Sequence, residues 1–387
     1  MIINKIKILL LLLVNIPLWL ISKFITKDKN IWIFGAWSGK KYADNSKYFF
    51  EYVNEQYPNV KAIWVSDDNK IVQNLNSKGF IAYKKYSFMS IFYGVQAKYS
   101  IFVHSNKTDS LMFLNNKKTQ LIQLWHGSPI KKIGKDDKMF QGDSLIKRIT
   151  KLVFFPYLKE EKYAIFTGIG DEDSKIYATA FSATNIKSTG LCRNDKLFYK
   201  KKQVYYTVTY LPTFRDQIGD KVDLFSEYNF DLATWNEKLS KLSIVLNIKM
   251  HPVNKPKNEL LDKFKNFKYI NFLDEIDVAE VLANTDILIT DYSSVFFDYL
   301  LTDNPIIFAP FDYEKYLTKD RELYYDYDEV TPGPKCKNWA EVLEWVFKFK
   351  DNSELYKDER KKVKDIFHKY HDNKSCDRVY KEIMKLS

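Results

Sequence analysis

Cysteine is scarce in this chain, and what there is lies scattered. Cys192, Cys336 and Cys376 are odd in number, far apart and form no CxxC pair. That excludes a disulfide framework and a cysteine-based zinc site, and it fits a reducing, cytoplasmic compartment. The sequence also lacks a long hydrophobic run. The apolar stretch Ile8–Ile21 (ILLLLLVNIPLWLI) is shorter than the roughly 20 residues of a spanning helix. No small-x-small cleavage site follows it, as a secretory signal would require. There is no P-loop, no HExxH and no Gly-rich dinucleotide fingerprint, and no fixed-period repeat. Nothing interleaves basic and aromatic residues as an RNA-binding motif does, so nucleic acid is not expected as a partner. No metal and no cofactor is called for.

What is present begins with size. The 387 residues suffice for two domains at roughly 100–200 residues each. Apolar residues make up 45% and aromatics 16%, enough for a sizeable core. The formal charge of +11 suits nucleic acid, anionic lipid or phosphorylated substrates, and is equally explained by a Lys-rich composition. The N-terminal apolar run, flanked by Lys5, Lys7 and Lys23 with Trp19 near its end, has three readings. It is an uncleaved anchor lying in or dipping into the bilayer, a buried helix interrupted by Asn15 and Pro17, or a cleaved signal.

Short apolar stretches rich in β-branched and aromatic residues recur between turn signals: Ile31–Phe34, Lys61–Val65, Tyr99–Val103, Gln120–Leu124, Tyr163–Thr167, Gln203–Thr209, Ser243–Lys249, Ile287–Thr290 and Pro305–Phe308. Alternation of such runs with helical patterns predicts buried parallel sheets, hence an α/β fold. A polar turn (Gly190, Arg193, Asn194, Asp195) and the run Lys200–Lys202 mark a boundary. The expected division is a membrane-association segment 1–26, an α/β domain 27–195 and a second α/β domain 196–387.

In open α/β sheets ligands sit at the carboxyl ends of the strands, so polar residues directly after strands carry the chemistry. QLIQL runs into Trp125-His126-Gly127-Ser128-Pro129, with Lys131 and Lys132 beyond. Gly and Pro stop the strand there and present an imidazole able to take a proton from a hydroxyl near neutrality. SIVLNIK leads likewise to His251-Pro252, a candidate donor to a phosphate oxygen. QVYYTVT leads to Thr213-Phe214-Arg215-Asp216, where Arg215 can fork onto a phosphate pair. DILIT ends in Asp291-Tyr292-Ser293-Ser294 before a helical VFFDYLL that holds Asp298. Hydroxyls at such a turn cap the helix or hold an anion at its N-terminus. Asp171-Glu172-Asp173 reads as a solvated turn.

Taken in order, LIQLWHGSPIKKIG, TGLCRND, YLPTFRD, IKMHP, DILITDYSSVFFDYL with IIFAPFDYEKY, and RELYYDYDEVTPGP resemble the CDP-glycerol glycerophosphotransferase family, the teichoic acid glycerol-phosphate transferases. The tail FHKYHDNKSCDRV is similar too. Cys192 stands where the family usually has Pro, and Glu322 where it usually has Gly. The resemblance implies a GT-B-like fold of two facing Rossmann-type domains with a nucleotide cleft between them, the nucleotide lying in the second. It implies an enzyme that moves glycerol phosphate from CDP-glycerol, or a related CDP-alditol, to a hydroxyl of a lipid-linked polymer at the cytoplasmic face of the membrane, releasing CMP. An anionic membrane surface is then a partner. His126 becomes the general base and His251 the second catalytic histidine. Arg215, Ser293 and Ser294, with His251, hold the donor diphosphate, Thr213 and Asp291 fall on the donor-binding side, Arg193 and Arg321 are further phosphate contacts, and Asp298 orients the ribose or a cation-binding group. Gly127, Ser128, Lys131 and Lys132 fall on the acceptor side. The alternatives are a CDP-ribitol phosphotransferase or capsule glycosyltransferase on the same scaffold, or a non-catalytic, membrane-bound polymer-binding protein.

Overall fold

The computed structural model describes residues 15–138, 144, 162–199, 203–213, 224–250, 262, 264–274, 276–313 and 322–386. The chain forms two compact units. The first runs to His126 and adds Lys138–Arg193 and Lys374–Ser387; the second consists of Gly127–Asp137 and Asn194–Asn373.

The first unit is built on a 7-stranded sheet in the order β3-β2-β1-β4-β5-β6-β7. Its strands are β1 (Asp28–Phe34), β2 (Lys61–Ser66), β3 (Ile81–Lys84), β4 (Ala97–Phe102), β5 (Gln120–Gln123), β6 (Ile165–Gly168) and β7 (Ile186–Ser188). All pair in parallel, so their carboxyl ends share one edge. Side chains alternate between faces along a strand, and the sequence uses both. Trp32, Phe34, Ala62 and Trp64 enter one core, together with Phe49, Phe50 and Val53 of the helix Asp44–Gln56. Ile31, Ile33, Ile63 and Val65 enter the other, with Leu111 to Leu114. The last helix, Ser375–Met384, closes the first core with Cys376, Val379 and Ile383. Its Tyr380 ring stacks 3.5 Å from Tyr57 and 5.7 Å from Trp32.

The second unit carries a 5-stranded parallel sheet, order β10-β9-β8-β11-β12. Its strands are β8 (Tyr206–Leu211), β9 (Ile244–Ile248), β10 (Ile270–Phe272), β11 (Ile287–Thr290) and β12 (Ile306–Phe308). Trp339 of the helix Trp339–Asp351 centres its core, ringed by Tyr210, Phe225, Phe230, Trp235 and Phe311. All three cysteines are buried thiols. Cys192 and Cys376 sit in the first core and Cys336 in the second.

Every strand expected from the sequence forms, with ends displaced by a few residues. Three more appear, β3, β7 and β10, each at the edge of its sheet. The expected solvated turn at Asp171-Glu172-Asp173 is corrected. It is the first turn of the helix Asp171–Ala180, and Asp173 is fully buried, accepting hydrogen bonds from the Ile169 amide and the Tyr177 hydroxyl. Of the N-terminal apolar run, residues 1–14 lie outside the described residues. Residues 15–22 are helical, and Ile16, Leu18 and Trp19 pack on the second face of the first sheet. Among the described residues no helix is long and apolar enough to cross a membrane.

Candidate active site

At the carboxyl edge of the first sheet, β5 ends in a turn that the Trp125 side chain anchors. Its ring lies 4.6 Å from Phe181, 5.7 Å from Phe166 and 5.9 Å from Tyr177. Seating the ring there puts its backbone at φ 53°, a left-handed conformation uncommon for a bulky residue. Hydrogen bonds hold the strain in place. The Trp125 amide donates to Gln123 Oε1 (3.1 Å), and the Trp125 carbonyl accepts from Asn45 Nδ2 (2.9 Å). Asn45 Oδ1 in turn accepts from the Arg193 amide (3.0 Å). Three more non-glycine residues with positive φ follow β1: Trp37, Ser38 and Asp44.

His126 comes next and is half-buried. Its Nδ1 lies 3.2 Å from the Val103 carbonyl at the end of β4. A carbonyl only accepts, so Nδ1 carries the hydrogen and Nε2 keeps its lone pair. Burial is the main cause that holds the imidazole down to about 3, aided by the neighbouring His104 and Arg193 and opposed by the Val103 bond and Asp109. The ring is therefore a neutral acceptor of protons at Nε2.

Three neighbours of His126 were not singled out in the sequence. His104 stacks on His126 with centroids 4.4 Å apart and planes within 16°. Trp37 meets the same His104 ring edge-on at 4.6 Å. Behind them Asp109, fully buried, accepts from the amides of Ser38 (2.7 Å), His104 (2.8 Å) and Val103 (3.2 Å). These bonds, together with His104, hold the Asp109 carboxyl below its usual range against the opposing effect of burial. The signal for His104 was available: like His126, it directly follows an apolar strand.

In the second unit, the carboxyl ends of β8 and β11 are stitched together. Thr290 Oγ1 donates to the Leu211 carbonyl (2.7 Å), and buried Asp291 accepts from the amides of Thr213 (2.8 Å) and Tyr292 (2.7 Å). The helix Val295–Tyr299 follows at once, and Ser294 makes no side-chain capping bond to it. The expected cap is thus not made. Buried Asp298 accepts from Asn194 Nδ2 (3.0 Å). Lys132 pairs with Glu322 at 2.6 Å, and the Lys132 amide donates to the Glu322 carbonyl. Among the described residues no three His, Cys, Asp or Glu side chains are grouped to hold a metal ion.

The family model for CDP-glycerol:poly(glycerophosphate) glycerophosphotransferase matches residues 18–385. The chain belongs to that family. Among its relatives is a teichoic acid poly(glycerol phosphate) polymerase of Bacillus spizizenii, 28% identical over 84% of this chain and 85% of that one. Another is a teichoic acid glycerol-phosphate transferase of Staphylococcus aureus, 26% identical over 92% and 94%. The wall teichoic acid polymerase TagF superposes with a TM-score of 0.73 at 24% identity, covering 93% of this chain and 90% of that one. The expectations of a GT-B-like α/β fold and of a glycerophosphotransferase-like enzyme both hold.

Within this glycerophosphotransferase, the residues expected to act fall into two sets. His126 and Arg193 belong to the first unit, where the Arg193 guanidinium meets Asp44 at 2.8 Å. Gly127, Ser128, Lys131, Lys132, Thr213, Asp291, Ser293, Ser294 and Asp298 belong to the second. Gly127, at φ 142°, takes a backbone conformation that only glycine adopts readily. His251, Arg215 and Arg321 lie outside the described residues.

Proposed function

We propose that the chain transfers glycerol phosphate from CDP-glycerol to a hydroxyl of a membrane-linked cell-surface polymer, at the cytoplasmic face of the membrane. The observation that carries this reading is the state of His126: a neutral imidazole, its hydrogen fixed on Nδ1 by Val103 and its lone pair on Nε2. The acceptor hydroxyl gives its proton to Nε2 as its oxygen bonds the β-phosphorus. The bond from that phosphorus to the oxygen bridging to CMP breaks, and CMP leaves with that oxygen. Phosphoryl transfer of this kind is mostly positioning and charge stabilisation. The first domain, 27–195, takes the acceptor and the second, 196–387, the nucleotide. His251, Arg215, Ser293 and Ser294 hold the diphosphate, Thr213 and Asp291 shape the donor side, Arg193 and Arg321 are further cations, and Asp298 orients the ribose or a cation-binding group. Gly127, Ser128, Lys131 and Lys132 face the acceptor. Residues 1–26 associate with an anionic membrane surface, a reading that the net charge of +11 supports.

The test is CMP release by the purified protein given CDP-glycerol, CDP-ribitol or a CMP-sugar with a lipid-linked acceptor. CDP-glycerol should give turnover, and His126→Ala should lower it roughly 10²–10⁴-fold. Turnover with CDP-ribitol alone would reassign the donor. Tight binding of polymer without CMP release from any donor would overturn the reading in favour of a binding protein.

A further inference from the structure

His126 does not stand alone at the sheet edge. His104 leaves β4 one residue after the carbonyl that fixes His126, and the two rings lie stacked 4.4 Å apart. Trp37 meets His104 edge-on at 4.6 Å, so two rings contact it. Its Nδ1 is buried without a hydrogen-bond partner among the described residues, and the Asp109 carboxylate stands 3.7 Å away. A bare lone pair facing an anion is repelled, so Nδ1 of His104 carries its hydrogen. The chain also fixes Asp109 firmly, by the three amides already described and by the crowding of Gly35, where an added Cβ would meet the Asp109 carbonyl. A carboxylate this fixed, 3.7 Å from Nδ1, holds the His104 ring in place beside His126. Two cations at this spacing repel, so charge on His104 disfavours charge on His126.

We propose that His104 is a positioning residue for His126: backed by Asp109, it fixes the tilt of the His126 ring by stacking and disfavours a resting proton on it, leaving His126 free to accept one from the acceptor. The other charged groups around the pair are Arg193 with its partner Asp44, Lys85 with Asp67 beside Asp109, and Lys41 over the Trp37 ring. The proposal rests on His126 being the base of the transfer reaction, and its test separates the two.

The experiment is side-chain NMR of the full chain with ¹⁵N-labelled histidine, read against pH. There are five histidines, and His126→Gln identifies the relevant signal. Wild type should show His126 as the Nδ1–H tautomer and still neutral in mildly acidic buffer. In His104→Gln the His126 midpoint should rise by about one pH unit or more. In parallel, kcat should fall roughly 10- to 100-fold with KM unchanged, and the acid limb of the rate profile should move up by the same interval. His104→Phe, which keeps a ring but no charge, should recover most of kcat and still show the raised midpoint. A His126 midpoint unmoved in both variants overturns the proposal whether or not the enzyme turns over. A moved midpoint in a protein inactive toward every donor keeps the coupling and sinks only the transferase reading.

Discussion

Two imidazoles, one in each unit, are kept neutral chiefly by loss of solvent, His368 being buried and His126 half-buried. His126 is held down to about 3 and His368 to about 4, burial being the first cause in each. His368 Nε2 donates to the Phe297 carbonyl at 2.7 Å, so it also has a fixed tautomer. In the unfolded chain both titrate near the ordinary value of about 6.5. As pH falls through that value the unfolded chain takes up protons and the folded chain does not, so stability is lost. The loss grows until the folded values are reached. Urea midpoints measured from pH 7.5 to pH 4.5 should therefore decline steadily below about pH 6.5, and His368→Gln should flatten part of that decline. At this scale the sequence was half legible. A histidine just past a strand and pinned by Gly and Pro announces itself, as His126 did. Nothing local told that Asp109 would be drawn toward it, since its partner Ser38, 71 residues away in sequence, meets it only through the sheet.

Strands, rather than helices, decided which residues meet. β1, β4 and β5 lie side by side, so the turns after them converge: Trp37 and Ser38, His104, and His126. Gly35 makes that convergence possible. An added Cβ there would sit 1.8 Å from the Asp109 carbonyl oxygen, well inside any contact distance. Gly35→Ala should thus push the 103–109 turn away from β1. Overpacking of this kind costs about 1–3 kcal/mol, and here it should also lower turnover more than a surface mutation of equal destabilisation. Thermal unfolding together with CMP release checks both. The central strands were readable because they are buried on both faces and hence apolar throughout. The missed strands β3, β7 and β10 are edges with mixed burial. Short, partly polar IAYK, IKS and INF give no period to detect.

At the scale of the whole molecule, the chain visits each unit more than once. It enters the second directly after His126, returns at Lys138, leaves again after Arg193, and comes back to the first at Lys374. The two-sheet α/β architecture was legible from the spacing of apolar runs. The return of the last helix was not, because Cys376, Val379, Tyr380 and Ile383 read as an ordinary amphipathic stripe, whereas Tyr380 meets partners more than three hundred residues earlier, at Trp32 and Tyr57. This chain path divides the cysteines between the cores. Cys336 is packed deeply enough that burial pushes its thiol up to about 12, and Cys192 and Cys376 are buried too. Thiol reagents should barely touch the native protein. Pulsed alkylation through a denaturant series, read peptide by peptide, should modify Cys192 and Cys376 together and Cys336 on its own schedule. Two separate midpoints would mean the units melt independently, and one shared midpoint would mean they melt as a single cooperative body. The chain thus carries its own pair of unfolding reporters, with no dye or engineered label required.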